Sequence, residues 1–233
     1  MATPFVHSAI ATVVAEMVTL PICTVKTQYV NSTSTNITHV CQKMYKEHGI
    51  RAFYRASVPS VMSQAFSTST KFGIYDCMRK RGVAPVLSGI ISGIGSSLLT
   101  HPMDVFKIYW QMNSAVKSQI NEHGLKVLYR GYSKSLVKVV TGSVLFFPLT
   151  DKFRSLSIVK DPFINTFIAS AGAAVVSTLV IHPVDYLKTR HVYGNAWTER
   201  WNPMAYYKGV SLNLLRVVPH FTIVMCIIHI LGS

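Results

Sequence analysis

The sequence is short of acids. Only 9 of its 233 residues are Asp or Glu, against 23 Lys and Arg, which leaves a net charge of +14. Charge of either sign is scarce: 14% of residues are charged and 49% hydrophobic, and the mean hydropathy is +0.32. A disordered basic tail needs low hydrophobicity, so that class is excluded. A soluble nucleic-acid binder carries its basic face on a polar surface, which argues against this class and against a nucleic-acid partner. The four cysteines, Cys23, Cys41, Cys77 and Cys226, are scattered. They have no metal-ligand spacing and are too few for a disulfide scaffold. The nine histidines form no metal pattern either, so no metal or cofactor is expected. The first fifteen residues, MATPFVHSAIATVVA, lack Lys and Arg, so neither a secretory n-region nor an Arg-rich transit leader is read there. A greasy, basic, nearly acid-free chain is best read as a membrane protein.

A membrane-crossing helix needs about 20 mostly apolar residues. Two uncharged runs meet this outright, Gly82 to Met103 and Pro162 to Val184, and a third reaches from the N-terminus to Val25, broken only by Glu16. Three weaker spans lie between and after them: Val58 to Lys80, Ser133 to Ser155 and Ser211 to Leu231. These carry Ser63, Gln64 and Lys71, then Lys134 and Lys138, then Asn213 and Arg216. Charges in a span are costly and belong against a bundle interior or a wet cavity. Six spans around a wet centre accommodate them.

Internal repeats set the architecture. Pro21-Ile-Cys-Thr-Val-Lys26 is matched by Pro102-Met-Asp-Val-Phe-Lys107 and by Pro183-Val-Asp-Tyr-Leu-Lys188, each 81 residues after the last. A second block follows each: Gly49 to Ala56, Gly124 to Gly131, and Asn202 to Gly209. Twenty residues further on stand Asp76 and Arg79, then Asp151 and Arg154, then His229 and Gly232. The unit is a long helix, a loop with a short helix, and a second long helix, used three times. Its boundaries are read as 1–81, 82–160 and 161–233.

These blocks resemble the mitochondrial carrier family, whose signature is P-x-[DE]-x-x-[KR] in each odd-numbered helix and an aromatic-basic-Gly group before each even one. The resemblance spans essentially the whole chain. It implies an all-α membrane protein of six transmembrane helices in three two-helix repeats. These form a pseudo-threefold barrel with short amphipathic helices on the matrix side. It also implies a functional monomer that works by alternating access, with no enzymatic activity.

Within each motif the acid and base are three residues apart and share a helix face. Proline inside a helix removes a hydrogen bond and bends the axis, so Pro21, Pro102 and Pro183 are expected to kink three helices towards one closed end. The resemblance assigns this end as a matrix gate, pairing Asp104 with Lys188 and Asp185 with Lys26, and braced by Gln28. Its third pair would join Lys107 to Cys23, which is no acid, so one bond is expected to be missing. The cytoplasmic gate would use Asp76, Arg79, Asp151 and Arg154. His229 and Gly232 break its third part, leaving at most one acid–Arg bond between neighbouring even helices. A weaker cytoplasmic gate predicts a carrier that rests open on that side.

By the same resemblance, Arg130-Gly131 and Lys208-Gly209 hold cardiolipin headgroups at helix N-termini, sites suited to phosphate. Ala56 departs from Gly in the first repeat. Family contact points fall seven residues beyond these positions, at Ser63, Lys138 and Arg216, with Gln64 and Val139 following the first two. Lys71 and Lys134 extend the positive lining, although Lys134, near a helix end, is read as able to snorkel to the interface. Lys and Arg facing a cavity select anions, Arg as a bidentate partner and Lys as a point charge. The expected substrate is a nucleotide: ADP/ATP, a deoxynucleotide or a pyrimidine nucleotide. Lys138-Val139 departs from the Gly-aliphatic pair of purine-nucleotide carriers, so a phosphate or di- or tricarboxylate carrier is the alternative. A scaffold with the carrier fold and no transport is the rival of another class. Lys43, Lys46, Arg51, Lys117, Lys126 and Arg200 lie in the longer loops, which puts these loops in the matrix and both termini in the intermembrane space. The expected location is the mitochondrial inner membrane. The short loops suggest a compact, virus-encoded member.

Overall fold

The computed structural model describes residues 2–114, 116–156, 160–194 and 203–232; at some helical positions, Asp151, Arg154 and His229 among them, it describes the backbone alone. Six long helices dominate: α1 (Ala2–Asn31), α4 (Ser57–Lys80), α5 (Pro85–Gln111), α7 (Tyr132–Ser155), α8 (Pro162–Tyr193) and α9 (Val210–Gly232). At 1.5 Å per residue each is about 35 Å or longer, enough to cross a hydrocarbon core of about 30 Å. Short helices fill the first two connections: α2 (Ile37–His48) and α3 (Arg51–Tyr54), then α6 (Val116–His123) and a 3₁₀ turn at Leu125–Tyr129. A second 3₁₀ turn, Pro203–Tyr207, precedes α9. No strand occurs among the described residues.

The long helices close into a ring. Each packs on its sequence neighbour in the order α1, α4, α5, α7, α8, α9, and α9 returns to α1. The odd members of the ring, α1, α5 and α8, also touch one another across the centre. These are the helices that contain Pro21, Pro102 and Pro183.

The pattern of burial is inside-out. On α1, Ile10, Val14, Met17 and Val18 are exposed, while Ala11, Ala15, Glu16 and Thr19 are buried. On α5, Leu87, Ile94 and Leu98 face out, while Ser88, Ser92 and Ser96, one turn apart, are buried. Aliphatic residues outside and small polar residues inside suit a protein surrounded by lipid around a wet centre. By length and hydropathy only Ile10–Asn31 and Phe167–Tyr193 qualify as membrane spans among the described residues. The Gly82–Met103 run lies largely in α5, whose inner face carries serine, glycine and histidine.

Apolar cores lie under the short helices. Asn36 caps α2, its side chain accepting from the Thr38 N–H at 3.0 Å. This sets Val40 and Met44 against Val25, Ala52 and Leu212. In the second repeat, Val116 and Val127 pack with Val105, Ile108, Tyr109 and Val192. Each cluster staples one repeat to the next around the ring.

The basic-Gly groups have a packing role. Gly131 has φ +79° and Gly209 φ +84°, a region that favours glycine. A Cβ on Gly131 would lie 3.0 Å from a Val192 methyl on α8, and one on Gly209 would lie 3.2 Å from Val30 on α1. Ala56, their counterpart, has φ −93° and is fully buried, so its methyl is accommodated.

Candidate functional site

The inward faces of the helices line a cavity of about 300 Å³. Its wall includes Lys26, Lys71, Lys107, Lys138, Lys188 and Arg216, against Asp104 and Asp185. Glu16 is fully buried behind it and bonds to two of these bases. Six cations against three carboxylates leave an excess of positive charge facing the space.

The charged groups form a cyclic network. Lys188 donates to Asp104 at 2.9 Å. Lys26 pairs with Asp185 and also donates to Asn213 at 2.9 Å. Lys107 pairs with Glu16. The expectation of a missing third bond is therefore corrected: Lys107 bypasses Cys23 and reaches an acid seven residues earlier on the same face of α1. Cys23 is buried and accepts a weak bond from Gln111 Nε2 at 3.5 Å. Gln111 also accepts from Thr27 at 2.7 Å, and its main-chain carbonyl accepts from Gln28 at 2.6 Å, tying α1 to α5.

A second layer of donors meets the same acids. Ser63 donates to Asp104 at 2.9 Å. Lys138 pairs with the second oxygen of Asp185. Arg216 Nη2 donates to Glu16 at 2.7 Å, and Gln64 lies 3.4 Å from the same oxygen. Arg216 Nε is buried with no hydrogen-bond partner among the described residues. The side chains of Ser63, Gln64, Lys138, Val139 and Arg216 all line the cavity. Lys134 is corrected: it does not snorkel, but is largely buried and bonds His191 of α8 at 2.7 Å.

At the other end of the ring, Asp76 and Arg79 are exposed, and Arg79 donates to the Val83 carbonyl at 2.9 Å. The side chains of Asp151, Arg154 and His229 lie outside the described residues. Lys208 donates to the Ser32 carbonyl at the end of α1 and lies 4.7 Å from the centre of the Tyr29 ring, so its ammonium is engaged by protein.

Two functional details escape a reading of the sequence. His101 and His182, which in the sequence merely precede repeat prolines, tie their helices to the basic-Gly groups. His101 Nε2 lies 3.1 Å from the Arg130 carbonyl, and His182 Nε2 lies 3.2 Å from the Lys208 carbonyl. Their other ring nitrogens face Ser135 and Asn213, equivalent positions of α7 and α9. The recurrence of His-Pro at an 81-residue spacing is the signal that could have found them. The second detail is the pairing of Glu16, which no repeat alignment reveals.

Comparison with known proteins agrees with this arrangement. The family model described as mitochondrial carrier protein matches residues 1–84 and 79–161. The chain belongs to the mitochondrial carrier family. It is 43% identical to a mitochondrial carrier-like protein of Acanthamoeba polyphaga mimivirus, over 99% of this chain and 96% of that one. It is 26% identical to kidney mitochondrial carrier protein 1 of Xenopus laevis, over 91% of this chain and 84% of that one. It is 21% identical to mitochondrial ornithine transporter 1 of Schizosaccharomyces pombe, over 92% of this chain and 86% of that one. The protein is thus a transporter of the carrier type, and the relatives' names do not agree on a substrate.

Proposed function

We propose that this carrier exchanges anionic metabolites, nucleotides foremost, across the mitochondrial inner membrane by alternating access. The observation that carries the reading is the cavity's excess of positive charge, with Arg216 at its wall and its buried Nε–H without a partner among the described residues. A guanidinium with a free edge offers a charge-assisted bond to phosphate or carboxylate. Lys138 and Arg216, the second and third contact points, each stand seven residues after Gly131 or Gly209 and give a multiply charged anion two cationic anchors. A cationic cargo such as the ornithine named for one relative would need spare carboxylates, and Asp104, Asp185 and Glu16 are all held by bases.

In this reading Lys26, Asp185, Asp104, Lys188, Lys107 and Glu16 form the closed matrix gate, with Gln28 as its brace. Asp76, Arg79, Asp151 and Arg154 form the cytoplasmic gate, and the exposure of Asp76 and Arg79 supports an open resting state on that side. The three repeats, 1–81, 82–160 and 161–233, act as one transport unit, a monomer with both termini in the intermembrane space. Arg130-Gly131 and Lys208-Gly209 mark the cardiolipin sites through the free amides at the starts of α7 and α9.

Counter-exchange in liposomes loaded with a panel of ribo- and deoxynucleotides, phosphate and citrate tests the reading. Uptake of labelled nucleotide driven by internal nucleotide supports it. Uptake driven only by phosphate or citrate would move the assignment to those classes, and a protein inert to every member of the panel would point to the non-transporting scaffold.

A further inference from the structure

In each of the other two repeats, the acid three residues before the gate lysine takes one bond from the next repeat and one from the repeat before. Asp104 accepts Lys188 from the third repeat and Ser63 from the first. Asp185 accepts Lys26 from the first repeat and Lys138 from the second. Glu16 follows the same rule from a different register: it accepts Lys107 from the second repeat and Arg216 from the third. Cys23, at the motif position, takes neither. Seven residues are two helical turns, so Glu16 and Cys23 share a face of α1 about 10 Å apart along its axis. The acid has moved up the helix, and its lysine has followed it.

We propose that Glu16 is the third gate acid of this carrier, and that it competes with the anion for Arg216 as Asp185 does for Lys138. This rests on the reading of Arg216 as an anion contact. An acid at position 23 would sit two turns nearer the closed end of α1. At position 16 the acid is fully buried and occupies one side of the Arg216 guanidinium, while Nε has no partner among the described residues. An entering anion that takes Arg216 removes one of the two charged donors on Glu16, and one that takes Lys138 does the same at Asp185. Arrival of cargo therefore loosens two of the three gate joints, and by linkage a closed gate weakens the hold on cargo to the same degree.

The test moves the acid back. Wild type, Glu16→Gln, Cys23→Asp and the double variant Glu16→Gln/Cys23→Asp are compared for thermal unfolding in detergent and for exchange of labelled ATP in liposomes. Glu16→Gln is expected to unfold at least about 5 °C lower and to exchange about tenfold more slowly or worse, because it leaves Lys107 and Arg216 buried without an acid. The double variant is expected to recover the unfolding temperature, because Asp at position 23 meets Lys107 in the ordinary register. The KM for ATP of Glu16→Gln is expected to fall below that of wild type, because Arg216 no longer has a charged internal competitor. A purely structural Glu16 would not move KM in that direction. Wild-type stability in Glu16→Gln, or a double variant no better than the single one, overturns the proposal. If neither Gln variant folds, Cys23→Asp alone decides: a raised unfolding temperature supports a gate joint at that site, and an unchanged or lowered one overturns it. Should wild type exchange no ATP while the unfolding temperatures follow the expected order, the gate assignment of Glu16 stands and the nucleotide reading fails by itself.

Discussion

Lys107 of α5 pairs with Glu16 of α1, not with Cys23, which stands at the place its partner has in the other repeats. The charge network thereby keeps its threefold connectivity although one motif acid is absent. By the sequence motif alone this gate is broken. What replaces the missing residue is a side chain two turns away that only the helix face connects to it.

Arg216→Ala and Lys138→Ala should each cut exchange of labelled nucleotide by about tenfold or more, since each removes a charged anchor at the contact plane. Uptake in proteoliposomes measures this, and undiminished uptake in both would place the contact site elsewhere in the cavity.

Asp185→Asn should be the more damaging of the two motif-acid substitutions. It leaves Lys26 and Lys138 facing a neutral amide, and a buried ion pair that loses one partner costs about 3–5 kcal/mol. For a chain of this size that is a fall of roughly 10 °C in unfolding temperature. Asp104→Asn should cost less, because the Asp104 side chain is 34% exposed against 9% for Asp185. Thermal unfolding of the two variants side by side checks the order.

Gly131→Ala and Gly209→Ala should destabilise by about 1–3 kcal/mol each, from the positive φ and from the close approach to Val192 or Val30. The reverse change at the third equivalent position, Ala56→Gly, meets no such barrier and should cost about 1 kcal/mol or less. Equal losses in all three would show that φ is not what sets glycine at the two sites.

His101→Leu copies the first repeat, which has Leu20 at the equivalent place. The imidazole's contacts with Arg130 and Ser135 would go, at a cost of about 1–2 kcal/mol. Exchange per folded molecule should stay near wild type. A large loss of exchange without loss of stability would mean that this histidine takes part in the transport cycle.

The repeat architecture is legible in the sequence because equal spacing carries it. Pro21, Pro102 and Pro183 and the blocks behind them fix three copies of one unit whatever the hydropathy of each helix. The spans are less legible one by one. Ser88, Ser92 and Ser96 are buried on the wet face of α5, so polar residues interrupt its apolar run. Lys138 and Arg216 stand out because a charge deep in a span is costly unless a wet interior receives it. Glu16 is visible as an acid in a span, but its partners are not, since pairing depends on which helices face each other across the ring. Lys134 misleads for a related reason: its closeness to the helix end suggests an escape to the interface, and His191 on the neighbouring helix is invisible to that argument.

The surplus of cavity cations over carboxylates has an electrical consequence. When the carrier turns over empty, about three uncompensated positive charges change their exposure within the membrane field, and each full crossing is worth about 2.3 kcal/mol per 100 mV. When it turns over loaded, the charge of the cargo cancels them. On the proposed anion reading, a voltage across the membrane therefore acts chiefly on the empty return.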